Sequence, residues 1–315
     1  MYTLCSNITI AGKRLEGVNG VEIESSIHKL MATATIKVPV TAVLRHKEAS
    51  TYILTASVIN PGDRVVIKLG YNGSLQTEFV GYVKQKNLCT PLEIVCEDEF
   101  YQTRSRSVTI EGKKTLSEIL GICGLNVGYC VGLTVENFAV DNKPVSWVLG
   151  KLKTEYGLAI FFDMEGRIYA SEPYKTIAGY ANYRFRYNVI KDDDLTYQRA
   201  DDVRLRIKAI CIYRDGTKIE ATIGSDGTEK TLYFYDVEDE NQLAALAHAE
   251  LKRYSYDGYS GKIVTFLQPY ARPCMVANIT DPVYPERDGR YYIESVRTEY
   301  GMSGARRNIE IGLKV

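Results

Sequence analysis

Apolar and β-branched side chains recur at nearly every second position in CSNITI (5–10), GVEIESSI (20–27) and MATATIKVPV (31–40), with glycine or charged residues between the runs. A period of two puts one set of side chains on one face of a strand. RVVIKLGY (64–71) and TEFVGYVKQ (77–85) flank Asn72-Gly73, a strong hairpin-turn dipeptide, and PLEIVCED (91–98) closes the set. Six strands with little helix predict a small barrel or sandwich over residues 1–100.

The period lengthens after residue 100. TLSEILGICG (115–124) puts Leu116, Ile119 and Leu120 on one helical face, and Thr115 with Glu118 three residues later forms a capping box. In PVSWVLGKLKTEYG (144–157), Val145, Val148, Leu149 and Leu152 follow the i, i+3, i+4, i+7 stripe of an amphipathic helix. Pro144 suits its first turn and Gly157 its C-terminal cap. LAIFFDMEGRIYASEP (158–173) reads as a hairpin turning at Glu165-Gly166. Residues 101–185 are therefore expected to form a helix–helix–hairpin unit of α+β type. From 186 strands return: RLRIKAICIYRDGTKIEATIG (204–224) and TEKTLYFYDV (228–237). A helix is expected at about 240–254 with Leu243, Leu246, Ala247 and Leu251 as its apolar face, followed by further strands from 262 to the end.

The two ends of the chain share a pattern. PGDRVVIKLGYNGSLQTEFVGYVKQ (61–85) and PCMVANITDPVYPERDGRYYIESV (273–296) both open on proline, run through a short strand, break at a glycine-containing turn and resume with an aromatic-led strand. Pro61 sets against Pro273, Ile67 against Ile279, Phe79 against Tyr292 and Val83 against Val296; LEIV (92–95) then matches IEIG (309–312). Hairpins with glycine turns are common, but three successive elements agree in order and spacing. This is not a solenoid period. The expected fold is mainly β with an α+β insertion. Two similar small β-barrels, 1–100 and 186–315, flank the 101–185 unit.

Lysine plus arginine equals aspartate plus glutamate, 39 each, so the charge gives no case for nucleic acid or an anionic membrane. The first residues lack a basic start followed by an apolar core, the pattern of a secretory signal, and no apolar run approaches a membrane span. Seven cysteines, an odd number without a CxxC, read as buried free thiols of a protein made in a reducing cytoplasm. Tyrosine is abundant, 24 copies against eight phenylalanines. It suits strands, and it suits extensive contact surface.

The motifs for chemistry are incomplete. His28, His46 and His248 are widely spaced and no GxSxG occurs; in GMSGA (301–305) the second glycine comes one place early. His248-Ala-Glu250 with Pro273-Cys274 imitates the start of a deaminase signature, but Ala277 stands where its second cysteine belongs. EGKKT (111–115) resembles the tail of a phosphate-binding loop whose required glycine is Ser107. Asp192–Asp194 lacks the spacing of a calcium loop and reads as a solvated turn. Glu97 and Glu99 share a strand face without an evident partner. No catalytic residue, cofactor or metal is expected.

PGDRVVIKLGYNG…TEFVGYVKQ, then LEIVCEDEFYQTRSRSV, TLSEILGICGL and PVSWVLGKLKTEYGLAIFFDMEGRIYASEP, resemble in their order the phage tail hub family. That family includes the late control protein D group, Mu-like tail proteins and the hub part of type VI secretion VgrG spikes. The resemblance extends over nearly the whole chain but rests on no single diagnostic motif. It implies a non-enzymatic structural protein of the virion tail or baseplate. It further implies a homotrimer whose two barrels per chain make a pseudo-six-fold ring between a hexameric tail tube protein and a trimeric spike. With no stretch for an OB domain or β-helical needle read after the second barrel, the resemblance implies that the spike is a separate protein, and it implies other baseplate proteins as further partners. The equivalent turns, with Asn72, Gly73 and Ser74 in one and Asp281, Glu286 and Arg287 in the other, are the expected partner contacts. The alternatives are a tail-associated cell-wall hydrolase and a carbohydrate-binding β protein.

Overall fold

The computed structural model describes residues 3–46, 49–135, 138–213, 217–234, 237 and 239–315. The expected strands of the N-terminal region are present, and three short ones join them: Lys13–Leu15, and a hairpin of Thr41–His46 with Ala49–Leu54.

One 13-stranded sheet dominates the molecule. Its twelve long strands fall into two sets of six. The first set is β1 (Leu4–Ile10), β2 (Gly20–Ser26), β3 (Thr33–Val38), β4 (Arg64–Tyr71), β5 (Ser74–Asn87) and β6 (Leu92–Glu97). The second is β7 (Tyr180–Arg184), β8 (Val189–Gln198), β9 (Gly258–Thr265), β10 (Val276–Thr280), β11 (Gly289–Gly301) and β12 (Gly304–Lys314). The spatial order of the first set is β1-β4-β5-β6-β3-β2, and of the second β7-β10-β11-β12-β9-β8. The two orders are the same. One difference lies at the start: β1 runs antiparallel to β4, whereas β7 runs parallel to β10.

Backbone detail repeats as well. Gly62 N–H donates to Val83 C=O and Val83 N–H to Asp63 C=O; Cys274 N–H donates to Ile293 C=O and Ile293 N–H to Met275 C=O. The residue after each proline is left-handed, Gly62 at φ 91° and Cys274 at φ 70°. The ladder to the next strand slips between Val83 and Gln85 in one set and between Ile293 and Ser295 in the other. A β-bulge at the same place in both sets re-aims both strands alike. These contacts keep Pro61 against Pro273 and Ile67 against Ile279. They correct the rest of the expected alignment: Tyr82, not Phe79, corresponds to Tyr292, Val83 to Ile293, and Ile94 rather than Leu92 to Ile309.

Pairing runs on between the sets, because β2 lies antiparallel against β11 from Ser26↔Ser295 to Gly20↔Gly301. Among the described residues neither set closes on itself, so the expected pair of barrels is present as one continuous sheet. Each set still encloses apolar side chains: Ile8, Ile36, Ile67, Phe79 and Ile94 in the first, and Tyr183, Ile263, Ile279, Ile293 and Ile309 in the second. The expected turn at Asp192–Asp194 lies inside strand β8 instead.

Between the sets, α1 (Leu116–Ile122) is capped by the Thr115–Glu118 box, and α2 (Val145–Tyr156) ends at left-handed Gly157. Their predicted faces are buried, and they pack with the Ala159–Phe162/Ile168–Ser171 hairpin in one core. Between β8 and β9, Leu205–Ile212 pairs with Lys218–Gly224 and Thr228–Phe234, and α3 (Glu240–Tyr254) covers that sheet. Leu243 and Ala247 point inward as expected, but Leu246 is 38% exposed.

A buried charge ties the two sets. Arg307 of β12, 0% exposed, donates from Nη2 to Glu78 Oε1 of β5 at 2.6 Å and from Nη1 to the carbonyl of Ala271 at 3.2 Å. Burial pushes the Glu78 carboxyl above its ordinary value, opposed by the Arg307 charge and hydrogen bond. In ladder register Arg307 occupies the place of Leu92: Arg307 pairs with Thr265 and Leu92 with Val38. Arg307→Ala is expected to lose roughly 3–5 kcal/mol of stability, since it strands a buried carboxylate, while the double change Arg307→Met with Glu78→Leu recovers most of the loss. Urea denaturation of the three proteins tests this; an additive double mutant would show that the pair does not couple.

Candidate functional site

The two turns expected to meet partners join equivalent strands, but they are built differently. Asn72-Gly73 closes β4–β5 directly, with Tyr71 opposite Ser74. Both central residues have positive φ, 51° and 83°, the requirement of a type I′ turn. Asn72 is anchored to the start of β1: its Oδ1 accepts from Thr3 N–H at 2.9 Å, and its own N–H donates to Thr3 C=O at 2.8 Å. Asn72, Gly73 and Ser74 are all exposed.

The second turn, Asp281–Asp288, folds on a buried carboxylate. Asp281 is 2% exposed, and its Oδ1 accepts from the amides of Val283 (2.9 Å) and Tyr284 (3.2 Å). Its Oδ2 accepts from Arg287 Nη1 at 3.3 Å, and the same guanidinium nitrogen donates to Asp192 of β8. The Arg287 guanidinium also lies over the rings of Tyr284 (5.0 Å), Phe185 (5.4 Å) and Tyr259 (5.4 Å). Asp281 and Arg287 are thus brought together as the turn's internal brace. The exposed residues of the turn are Pro282, Val283, Tyr284, Pro285, Glu286 and Asp288, with Val283 49% exposed. Asp192, which the sequence reading assigned to solvent, is a second carboxylate on Arg287 in this brace. Its signal in the sequence is only that β8 places it beside the turn.

The other candidates for chemistry lie apart. His248 is exposed on α3. His28 Nε2 is 3.2 Å from Glu294 Oε2, and Tyr174 Oη donates to Glu294 Oε1 at 2.8 Å. Burial alone would raise the Glu294 carboxyl, but the hydrogen bonds from His28 and Tyr174 outweigh it and hold it below the ordinary range. His28 and Tyr174 border a cleft of about 250 Å³ lined also by Lys153, Lys230, Arg253 and Tyr254 among others. Lys230 Nζ stacks on Tyr254 at 4.0 Å, and burial lowers the lysine while raising both tyrosines. Lys175 pairs with Glu172 and Arg253 with Glu250, while Lys153 Nζ donates to the Ile27 carbonyl at 2.9 Å. Among the described residues no group of three or more His, Cys, Asp or Glu is placed to hold a metal ion, and no helix is long and apolar enough to cross a membrane. Cys96, Cys123, Cys211 and Cys274 are buried and in no disulfide, as expected; Cys89 is exposed, and Cys5 and Cys130 are half-buried.

No family model matches the chain, and no curated protein matches it in sequence. Solved structures do. A 43 kDa tail protein of prophage MuSo2 from Shewanella oneidensis superposes with a TM-score of 0.62 at 14% identity, covering 98% of both chains. A tail protein from Neisseria meningitidis MC58 gives 0.60 at 10% identity, covering 100% of this chain and 97% of that one. The fold is that of the phage tail proteins. A third structure with this tail-protein fold is an Escherichia coli component of the type VI secretion system, which exhibits structural similarity to the T4 tail proteins gp27 and gp5. It gives 0.59 at 13% identity over 97% of this chain and 76% of that one.

Asp281 is braced in its ionised form. Burial would raise its carboxyl, but the Val283 and Tyr284 amides and the Arg287 charge hold it below its ordinary 3.8. A depressed carboxylate contributes its stability above the unfolded value and loses it as the pH falls through the folded one. The Val283 and Tyr284 amide resonances should therefore titrate with a midpoint below 3.8. A midpoint at or above that value would refute the brace.

Proposed function

We propose that this chain is the structural hub of a phage tail or a tail-derived injection machine, and that it is not an enzyme. The observation that carries the reading is the repeated strand order, β1-β4-β5-β6-β3-β2 and β7-β10-β11-β12-β9-β8, within a tail-protein fold. A chain with two such sets, assembled as a homotrimer, presents six quasi-equivalent units around one axis. Such a ring docks a six-fold tube protein on one side and a three-fold spike protein on the other. The proposed division is 1–100 and 186–315 as the two hub units and 101–185 as the α+β unit set between them. Its place is the virion tail or baseplate, among other baseplate proteins.

The turns fit contact with a neighbouring ring because they join equivalent strands while differing in size and polarity. The contact surface would be Asn72, Gly73 and Ser74 on one turn and Glu286 with its neighbours on the other. Asp281 and Arg287 would shape the second turn from within. Cysteines placed at Ser74 and Glu286 in assembled tails are expected to crosslink to one and the same partner protein, and cryo-EM of the particle is expected to show three copies around a channel. A two-fold dimer in the particle, or capture of different partners from the two turns, would reject the reading.

A further inference from the structure

The intramolecular seam between the sets is a template with one unused copy. On β11, residues 295–301 pair with β2 along the same edge that β10 occupies at 289–292, since β12 takes the other edge. The equivalent segment of β5 begins at Gln85, just past the shared bulge. There β6 takes one edge up to Asn87, while pairing with β4 ends at Tyr82. Among the described residues no strand lies on the β4 side of residues 85–88.

The counterpart of β2 is also short of a partner. β8 pairs with β9 from Val189↔Thr265 to Gln198↔Gly258. On its other edge the described residues offer one bridge, Phe185 to Val189. Within one chain the two open segments are held far apart in the sheet, with β9, β12, β11, β2, β3 and β6 ordered between β8 and β5. They are complementary between chains, and their side chains reflect what is missing. Leu88, just beyond β5, is 80% exposed; its counterpart Thr298 is 3% exposed because Ile23 of β2 lies opposite. Tyr197 of β8 is 46% exposed.

We propose that β8 of one copy of this chain pairs antiparallel with residues 85–88 of a second copy. Matching the β2–β3 ladder to the β8–β9 ladder carries Ile23 onto Leu195 and Ser26 onto Gln198. The register across the contact is then Gln198 opposite Gln85, Tyr197 opposite Lys86, Thr196 opposite Asn87 and Leu195 opposite Leu88. The contact covers Leu88 as β2 covers Thr298. It joins two different edges, so it propagates head to tail and closes into a ring. It also continues the sheet by edge-strand addition. This inference rests on the ring reading above and names its seam.

Opposed residues of an antiparallel pair lie about 4.5–5.5 Å apart at Cα, within disulfide reach. The test uses the full chain carrying Cys89→Ser, with Asn87→Cys in one preparation and Thr196→Cys in the other. Mixed at high concentration and mildly oxidised, they are expected to give a disulfide-linked heterodimer that neither forms alone. Moving the second cysteine from Thr196 to Lys191 is expected to abolish it. Native mass spectrometry of the same mixtures separates the two levels of the argument. A trimer without the heterodimer overturns this seam and leaves the ring standing. A monomer without the heterodimer overturns both.

Discussion

One buried ion pair sets the relation between the halves of this molecule. Arg307 sits in the interior with no exposure, at the position where the first set of strands has Leu92, and its neutralising carboxylate, Glu78, belongs to that first set. A guanidinium in an apolar interior is tolerable only when its charge is neutralised. The second set therefore has its core completed by the first. The β2–β11 ladder, the amide of Leu267 donating to the Tyr71 hydroxyl at 3.3 Å, and the Arg297–Glu22 ion pair at 3.0 Å follow along the same boundary. Packing Leu267 and Ala305, residues of the second half, into the apolar cluster of the first completes the join.

That join gives the duplication a mechanical meaning. Each set offers one edge for receiving a strand and one strand for giving, and within the chain only one of the two possible unions is made. The bulge after Val83 and after Ile293 turns the receiving strand the same way in both sets, so the geometry of the made union applies to the unmade one. The turns at the far ends of β4–β5 and β10–β11 answer a different requirement. They vary because nothing in the sheet constrains them, and each is stabilised locally, one by left-handed backbone and the other by a buried carboxylate.

Much of this was legible in the sequence because it is local. The helix faces of α1 and α2, the Thr115–Glu118 box, left-handed Gly157 and the Asn72-Gly73 turn depend on neighbours a few residues away, and the structure has them all. What was misread depends on distant partners. Leu246 fits a helical stripe, yet the core under α3 takes Leu243, Ala247, Leu251 and Tyr254 and leaves Leu246 exposed. Aspartates 192–194 look like a turn by composition, but β8 is a strand because β9 pairs with it. In aligning the two hairpins, the aromatic Phe79 drew the match away from Tyr82, whose neighbour Val83 makes the deciding backbone contacts. Arg307 had a signal that composition hid. In RRNIEIGLKV it falls in phase with Ile309, Ile311 and Leu313, so alternation already placed it inward. The exposure of Leu88 had none, since it follows from a strand that one chain lacks.

The reversed first strand has a consequence for how the chain finds its fold. Two sets with the same strand order in one polypeptide invite exchange, with an element of one settling in the slot of the other, a known failure of duplicated architectures. Here β1 enters against β4 antiparallel and β7 enters beside β10 parallel, so neither first strand can take the other's berth without reversing its direction. The sixth strands are kept apart by charge: β12 in the slot of β6 would carry Arg307 into a site lined for a leucine, away from its carboxylate. Similarity gives the two halves a common geometry, and these two mismatches give each segment a single address.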